Sequence, residues 1–324
     1  MGMITVVGSL NMDLVVRTPH IPQAGETLSG SEFHIIPGGK GANQAVAAAR
    51  SGASTQMVGC VGHDAFGQEL LDALTIARVD VSGVESLPNV SSGTATILVE
   101  DNGQNRIIIV AGANGRVSPE FIQSQWAAIQ ASNMILLQQE IPLDTINFVL
   151  HKAHENHITT LLNPAPAYKL VAGMLQLVDI LILNDLEASA LTGIAVSTPP
   201  SALEAASHLL QMGAGSVIVT LGEQGAVYKD AATTLVEPAF EVESVDTTAA
   251  GDSFIGAYAA CLLSTHDSAR ALCFASAAAA ISVTRLGAQS SIPRKEEVER
   301  FILQHASQHA PSFLPNHTGG EPRT

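Results

Sequence analysis

Aromatic residues are scarce in this 324-residue chain. They make up 4% of it, and Trp126 is the only tryptophan. A composition that is 46% hydrophobic must then build its core from Val, Ile, Leu and Ala, as a parallel sheet covered by helices does. Cations are also few. Lys plus Arg number 15 against 30 Asp plus Glu, a net charge of −15, which argues against nucleic acid or an anionic membrane as partner. A phosphate ligand stays open, because backbone N–H groups bind one without net positive charge. The three cysteines, Cys60, Cys261 and Cys273, lack C-x-x-C spacing and read as buried thiols in a reducing compartment. No basic and apolar leader opens the sequence, and no uninterrupted run of about 18 apolar residues marks a membrane helix. A cytoplasmic protein is the expectation. His151, His154 and His157 share a spacing that suits a solvated helix face better than a metal site. No G-x-G-x-x-G follows the first strand, so a dinucleotide-dependent oxidoreductase ranks low. No repeat of solenoid period is visible.

The chain turns on residues 240–263. Phe240, Val242 and Val245 alternate as in a strand, and Ile255 to Leu263 read as a buried helix. Between them stand Ala249, Ala250 and Gly251, whose small side chains let backbone N–H groups approach a ligand at the helix N-terminus, where an anion is favoured. Asp252 stands beside that site and could accept a proton from an attacking hydroxyl. The plainer reading, an acidic residue stabilising its own helix, is equally open on this stretch alone.

Elsewhere the chain reads as a row of strands with polar ends. Met3 to Gly8 is a buried strand running into Asn11 and Asp13, in a turn or in a ligand crevice. Gly38 to Ala49 reads as glycines leading into an Ala-rich helix. Lys40 is followed by Gly41 rather than Ser or Thr, so this is no P-loop; Lys40 and Asn43 remain as polar contacts. Thr94–Glu100 and Asn105–Val110 flank Asp101-Asn102-Gly103-Gln104, a hairpin whose apolar strands need covering. From about Ser118, helix and strand alternate. Strands at 134–137, 159–162, 180–183 and 217–220 end at Gln138–Glu140, Asn163, Asn184–Glu187 and Leu221–Gly225. Such a row of polar ends is the crevice of an open parallel sheet.

The segment Gly38-Gly39-Lys40-Gly41-Ala42-Asn43-Gln44-Ala45, with Asp246-Thr247-Thr248-Ala249-Ala250-Gly251-Asp252, resembles the paired signatures of the PfkB carbohydrate kinase family. The resemblance covers about residues 3 to 304. It implies a three-layer α/β/α kinase domain over residues 1–304, with a mostly parallel central sheet. A small β-sheet lid at about 12–37 and 92–112 is inserted in it, and 305–324 form a disordered tail. The implied activity is transfer of the γ-phosphoryl of ATP to the 5-hydroxyl of ribose. The alternatives are a kinase for 2-deoxyribose, another sugar or a nucleoside, and a non-catalytic sugar-binding protein.

The resemblance also implies roles by position. Asp252 matches the catalytic base, and Ala249, Ala250 and Gly251 the anion hole. Asn11, Asp13, Gly39, Lys40, Asn43 and Glu140 match sugar contacts. Asn184, Thr220, Gly222, Gly225 and Gly251 match ATP contacts; Ser276 stands near the adenine, where the family often has a histidine. Glu187 matches a magnesium ligand acting through water. Asp246, Thr248, Ser282, Arg285, Gly287 and Ser291 match a potassium site. A homodimer through the lids is implied as well.

Overall fold

Strands buried on both faces read as near-continuous apolar runs, and the central strands of this protein follow that pattern, their polar residues falling mostly at the ends. In a computed structural model describing residues 2–102, 104–167, 170–171 and 173–305, the strands are β1 (Met3–Val7), β2 (Asn11–Thr18), β3 (Glu32–Gly38), β4 (Ser54–Gly62), β5 (Asp80–Leu87), β6 (Gly93–Glu100), β7 (Asn105–Val110), β8 (Met134–Gln138), β9 (Thr159–Asn163), β10 (Ile180–Asn184), β11 (Ser216–Thr220), β12 (Ala226–Lys229) and β13 (Thr234–Glu237). The α-helices are α1 (Lys40–Arg50), α2 (Ala65–Ile76), α3 (Pro119–Ile129), α4 (Leu143–Glu155), α5 (Asp185–Thr192), α6 (Pro199–Gln211), α7 (Ala250–Thr265), α8 (Ser268–Val283) and α9 (Lys295–Gln304). Of the tail expected at 305–324, residues 306–324 lie outside the described residues.

Among the described residues the larger sheet has nine strands in the order β13-β12-β11-β10-β9-β8-β1-β4-β5. It is parallel from β11 through β5, and β12 and β13 add an antiparallel edge. Side chains alternate between faces along a strand, and this alternation divides the core in two. Ile4, Val6, Leu136, Leu161, Ile182 and Ile218 face a cluster formed with α1, α7 and α8. Val7, Ile135, Leu137, Leu162, Leu181 and Val217 face the other, formed with α3, α4 and α6. The result is an α/β/α sandwich, as expected.

The second sheet has the order β3-β2-β6-β7. It is the hairpin β6–β7 joined in parallel to β2. Asn11 and Asp13 thus lie inside β2, not in the turn after β1. Their neighbours across the sheet are Gly38 and Ile36 on β3, and Gly93 and Ala95 on β6. The expected strand at 240–245 is absent. Val245 and Asp246 instead donate their N–H groups to Val283 O at 2.7 and 3.1 Å, and Val245 is exposed, so this segment is held by the end of α8 rather than by a sheet neighbour.

Candidate active site

The site begins with a close helix contact. A Cβ on Gly256 would stand 2.5 Å from Ala47 Cβ and from Gln44 O. Only glycine lets α7 approach α1 this far. One turn earlier on α7 that approach brings Asp252 against α1. Asn43 Nδ2 donates to Asp252 Oδ2 and Gln44 Nε2 to Asp252 Oδ1, each at 3.0 Å. Asp252 is 7% exposed, and each carboxylate oxygen receives one amide donor.

Asp252 is the third residue of α7, and the chain enters that helix through Ala249 at φ 58°. A left-handed alanine costs about 1–2 kcal/mol, a strain typical of functional turns. Beside that turn there is open space: a Cβ on Gly251, in the first turn of α7, would meet nothing within 4 Å.

The sugar-site residues expected from the sequence come together beside Asp252. Glu140 Oε2 accepts from Ser9 Oγ at 2.5 Å, Lys40 N at 3.1 Å and Asn11 Nδ2 at 3.4 Å. Asn11 is in turn gripped by Asn114, whose Nδ2 donates to Asn11 Oδ1 at 2.7 Å and to Leu10 O at 3.0 Å. Gly39 has φ 89°, and a Cβ there would stand 2.6 Å from Asn11 N, so the turn entering α1 needs glycine. Asn43 Oδ1 is buried without a hydrogen-bond partner, an acceptor awaiting a donor.

Three carboxylates crowd this space. Burial pushes the Asp13 carboxyl from its ordinary 3.8 up to about 7, with Glu140 and Asp252 adding to the rise. Burial works against the Lys40 ammonium, yet Asp252, Glu140 and Glu187 together hold its proton affinity above the ordinary range. The folded protein binds the Asp13 proton more tightly than the unfolded chain does. Asp13 therefore removes stability as pH rises from about 4 to about 7. Asp13→Asn is expected to melt higher than the parent at pH 8 and at nearly the parent temperature at pH 4, as read by thermal melts at the two pH values.

Two adjoining cavities open from Gly251. One, about 210 Å³, is lined by Lys40, Asn184, Glu187, Thr220, Gly251 and Asp252 among others. The second, about 610 Å³, is lined by Thr220, Gly222, Gly225, Phe240, Gly251 and Ser276 among others, and its volume suits a nucleotide-sized ligand. Asn184 and Glu187 form a capping box at the start of α5, with Asn184 Oδ1 accepting from Glu187 N at 2.7 Å and Glu187 Oε2 from Asn184 N at 3.0 Å. Burial is the largest influence on the Glu187 carboxyl and raises it; Asp252 and Asp185 add, while Asn184 N–H and Lys40 oppose.

The expected cation-site residues also converge. Asp246 Oδ1 accepts from Thr248 N at 2.9 Å and Thr248 Oγ1 at 2.6 Å, and Asp246 Oδ2 from Gly287 N at 2.9 Å. Burial raises this carboxyl, but those donors outweigh it and hold it below the ordinary range. Ser282 and Ser291 pair through their hydroxyls at 2.8 Å. The Arg285 side chain pairs with Glu297 at 2.6 Å, while its backbone N–H donates to Ser282 O at 3.1 Å. All three cysteines are free and buried, and burial raises the Cys60 thiol to about 12. No cluster of three His, Cys, Asp or Glu side chains suited to a metal ion occurs among the described residues.

Gln44 and Asn114 were not expected in the site, and Gln138 and Asn163 were expected only as polar strand ends of the crevice. The strand ends carrying Gln138 and Asn163 were legible as polar; Asn114 follows β7 with no pattern around it.

A helix N-terminus set at the carboxyl ends of parallel strands, with a buried carboxylate on its first turn and a nucleotide-sized cavity beside it, defines an α/β phosphotransferase. A profile of the pfkB family carbohydrate kinases matches residues 1–295. The chain is 43% identical over 308 residues to a ribokinase of Schizosaccharomyces pombe, covering 91% of this chain and 96% of that one. It is 38% identical over 300 residues to a deoxyribokinase of Salmonella typhi, covering 92% and 98%. The structure of Arabidopsis thaliana ribokinase complexed with ribose and ATP matches with a TM-score of 0.88 at 31% identity, over 93% of this chain and 98% of that one. This chain belongs to the pfkB family of carbohydrate kinases.

Proposed function

We propose that this kinase transfers the γ-phosphoryl group of ATP to the 5-hydroxyl of D-ribose, giving ribose 5-phosphate and ADP. The observation that carries the reading is Asp252, held by two amide donors on the first turn of α7, beside the sugar-facing carboxylates and the nucleotide-sized cavity. As the sugar oxygen bonds to phosphorus, its O–H proton passes to Asp252 and the bond to the β-phosphate oxygen breaks, releasing ADP. Little covalent help is needed, so alignment and charge stabilisation carry the rate. The α7 N-terminus holds the transferring phosphoryl through Ala249, Ala250 and Gly251. Asn11, Asp13, Gly39, Lys40, Asn43 and Glu140 hold the sugar. Thr220, Gly222, Gly225 and Ser276 flank the nucleotide. The small sheet closes over the sugar and excludes water.

Glu187, a half-buried carboxyl with raised proton affinity near two other acids, suits a hydrated magnesium ion, which would offset phosphate charge when bound. Asp246, Thr248, Ser282, Arg285, Gly287 and Ser291 offer the oxygen donors that a hard monovalent cation such as potassium takes. Among the described residues no helix is long and apolar enough to cross a membrane, which accords with a cytoplasmic enzyme.

The second reading is a 2-deoxyribose kinase, favoured by the deoxyribokinase relative. ADP release with magnesium-ATP separates the two when D-ribose, 2-deoxyribose, fructose and adenosine are supplied in parallel, with and without potassium. Ribose-dependent turnover raised by potassium supports the proposal; preference for 2-deoxyribose moves the substrate, and no turnover leaves a sugar-binding protein.

The lid sheet exposes Phe33 at 59% and Ile108 at 63%, and every residue of β7 is exposed. An apolar edge of this kind needs a cover, and a second copy meeting it lid to lid supplies one. Light scattering at micromolar concentration is expected to give a dimer mass, and Ile108→Lys a monomer.

A further inference from the structure

A run of buried carboxamides lies behind Asp252. Gln138 Nε2 donates to Gln44 Oε1 at 2.7 Å. Gln44 Nε2 donates to Asp252 Oδ1 at 3.0 Å and approaches Asn163 Oδ1 at 3.3 Å. Asn163 Nδ2 donates to Ile182 O, in β10, at 3.0 Å. Gln44 and Gln138 have no exposed surface, and Asn163 is 5% exposed.

A lone carboxamide can exchange its oxygen and nitrogen by a half-turn, and only one orientation offers Asp252 a donor. Here the ends of the run remove that choice. The Ile182 carbonyl only accepts, so Asn163 turns its nitrogen to β10 and its oxygen to Gln44. The Asp252 carboxylate also accepts from Gln44, and Gln138 closes the run by donating to the Gln44 oxygen. Turning Gln44 over would set its oxygen against the carboxylate and its nitrogen against the Gln138 donor. Gln138 is itself tightly seated: a Cβ on Gly8 would overlap its Oε1, and that oxygen has no hydrogen-bond partner. A core built only for stability would not retain such a buried orphan acceptor without return.

We infer that Gln138 and Asn163 act through Gln44 as positioning residues that aim the Asp252 carboxylate at the acceptor hydroxyl. The inference rests on Asp252 being the proton acceptor, as proposed above. Gln44 holds one carboxylate oxygen and Asn43 the other, fixing the plane of the group. The outer amides hold Gln44, and no step is added to the reaction. If the run served stability alone, its loss would lower the melting temperature and leave turnover intact.

The test uses the full chain with D-ribose and magnesium-ATP, comparing the parent with Gln44→Met, Gln138→Met and the double variant. Losses of about 30-fold in kcat for Gln44→Met and about 10-fold for Gln138→Met are expected, with both KM values within about threefold of the parent. The double variant is expected to be no slower than Gln44→Met, because Gln138 works only through Gln44. Should Gln138→Met fail to fold, Asn163→Ser asks the same question from the other end of the run. Parent kcat in either folded single variant, or losses that multiply in the double variant, would overturn the inference while leaving the sugar-kinase reading intact. An inactive parent would overturn both.

Discussion

Asp252→Ala is expected to lower kcat by about three orders of magnitude while still binding sugar and ATP. General base catalysis contributes about 10²- to 10⁴-fold, and the position of Asp252 suits that role. The residue is 7% exposed and its carboxylate takes one amide donor on each oxygen, so it is held still. Lys40 offsets its charge from nearby. Asp252→Asn is expected to do no better than alanine despite its matched shape. An asparagine carries no charge and is too weak a base to take the hydroxyl proton, so a matched shape does not restore the step. Steady-state turnover with calorimetric sugar and ATP binding reads both variants. Near-parent turnover in either would remove Asp252 from the chemistry.

Gly251→Val is expected to fold with a melting temperature near the parent's and to lose about 100-fold or more in kcat/KM. The two halves have one cause. A Cβ at Gly251 meets no atom beyond its own turn of helix within 4 Å, so the first added carbon presses on no packed neighbour. That open space is shared by the two cavities that meet at Gly251, on the first turn of α7. A branched side chain there occupies the volume assigned to the transferring phosphoryl and blocks its approach to the α7 N-terminus. Loss of one oxyanion-type donor elsewhere costs about 10²- to 10³-fold, which sets the scale. A variant that melts normally and turns over at the parent rate would place the phosphoryl elsewhere.

The glycine signatures were legible because their chemistry is local. Gly39 at φ 89° is a backbone demand that shows directly in residue type, whereas the left-handed turn at Ala249 does not show in an alanine. The capping box of Asn184 and Glu187 is local too. Asn11 and Asp13 were legible as polar residues after a buried strand. Their place inside β2 was not, because it depends on pairing with β3 and β6, whose partners lie 25 to 80 residues or so away. The misread strand at 240–245 has the same origin: alternation was present, but the partner is the end of α8 rather than a neighbouring strand.

By itself the sequence determined the α/β class, through near-continuous aliphatic runs that only a covered parallel sheet can bury, and it determined the two signatures that carry the family's chemistry. The tertiary structure alone decided how those signatures meet. Gly256 draws α7 onto α1, Asn114 reaches back from beyond β7 to hold Asn11, and Gln138 and Asn163 converge on Gln44 from neighbouring strands. Each is a contact between residues about 90 to 210 positions apart, and periodicity carries information only over the length of one helix or strand. A hydrogen-bond network of this reach exists only once the sheet order has set its members side by side.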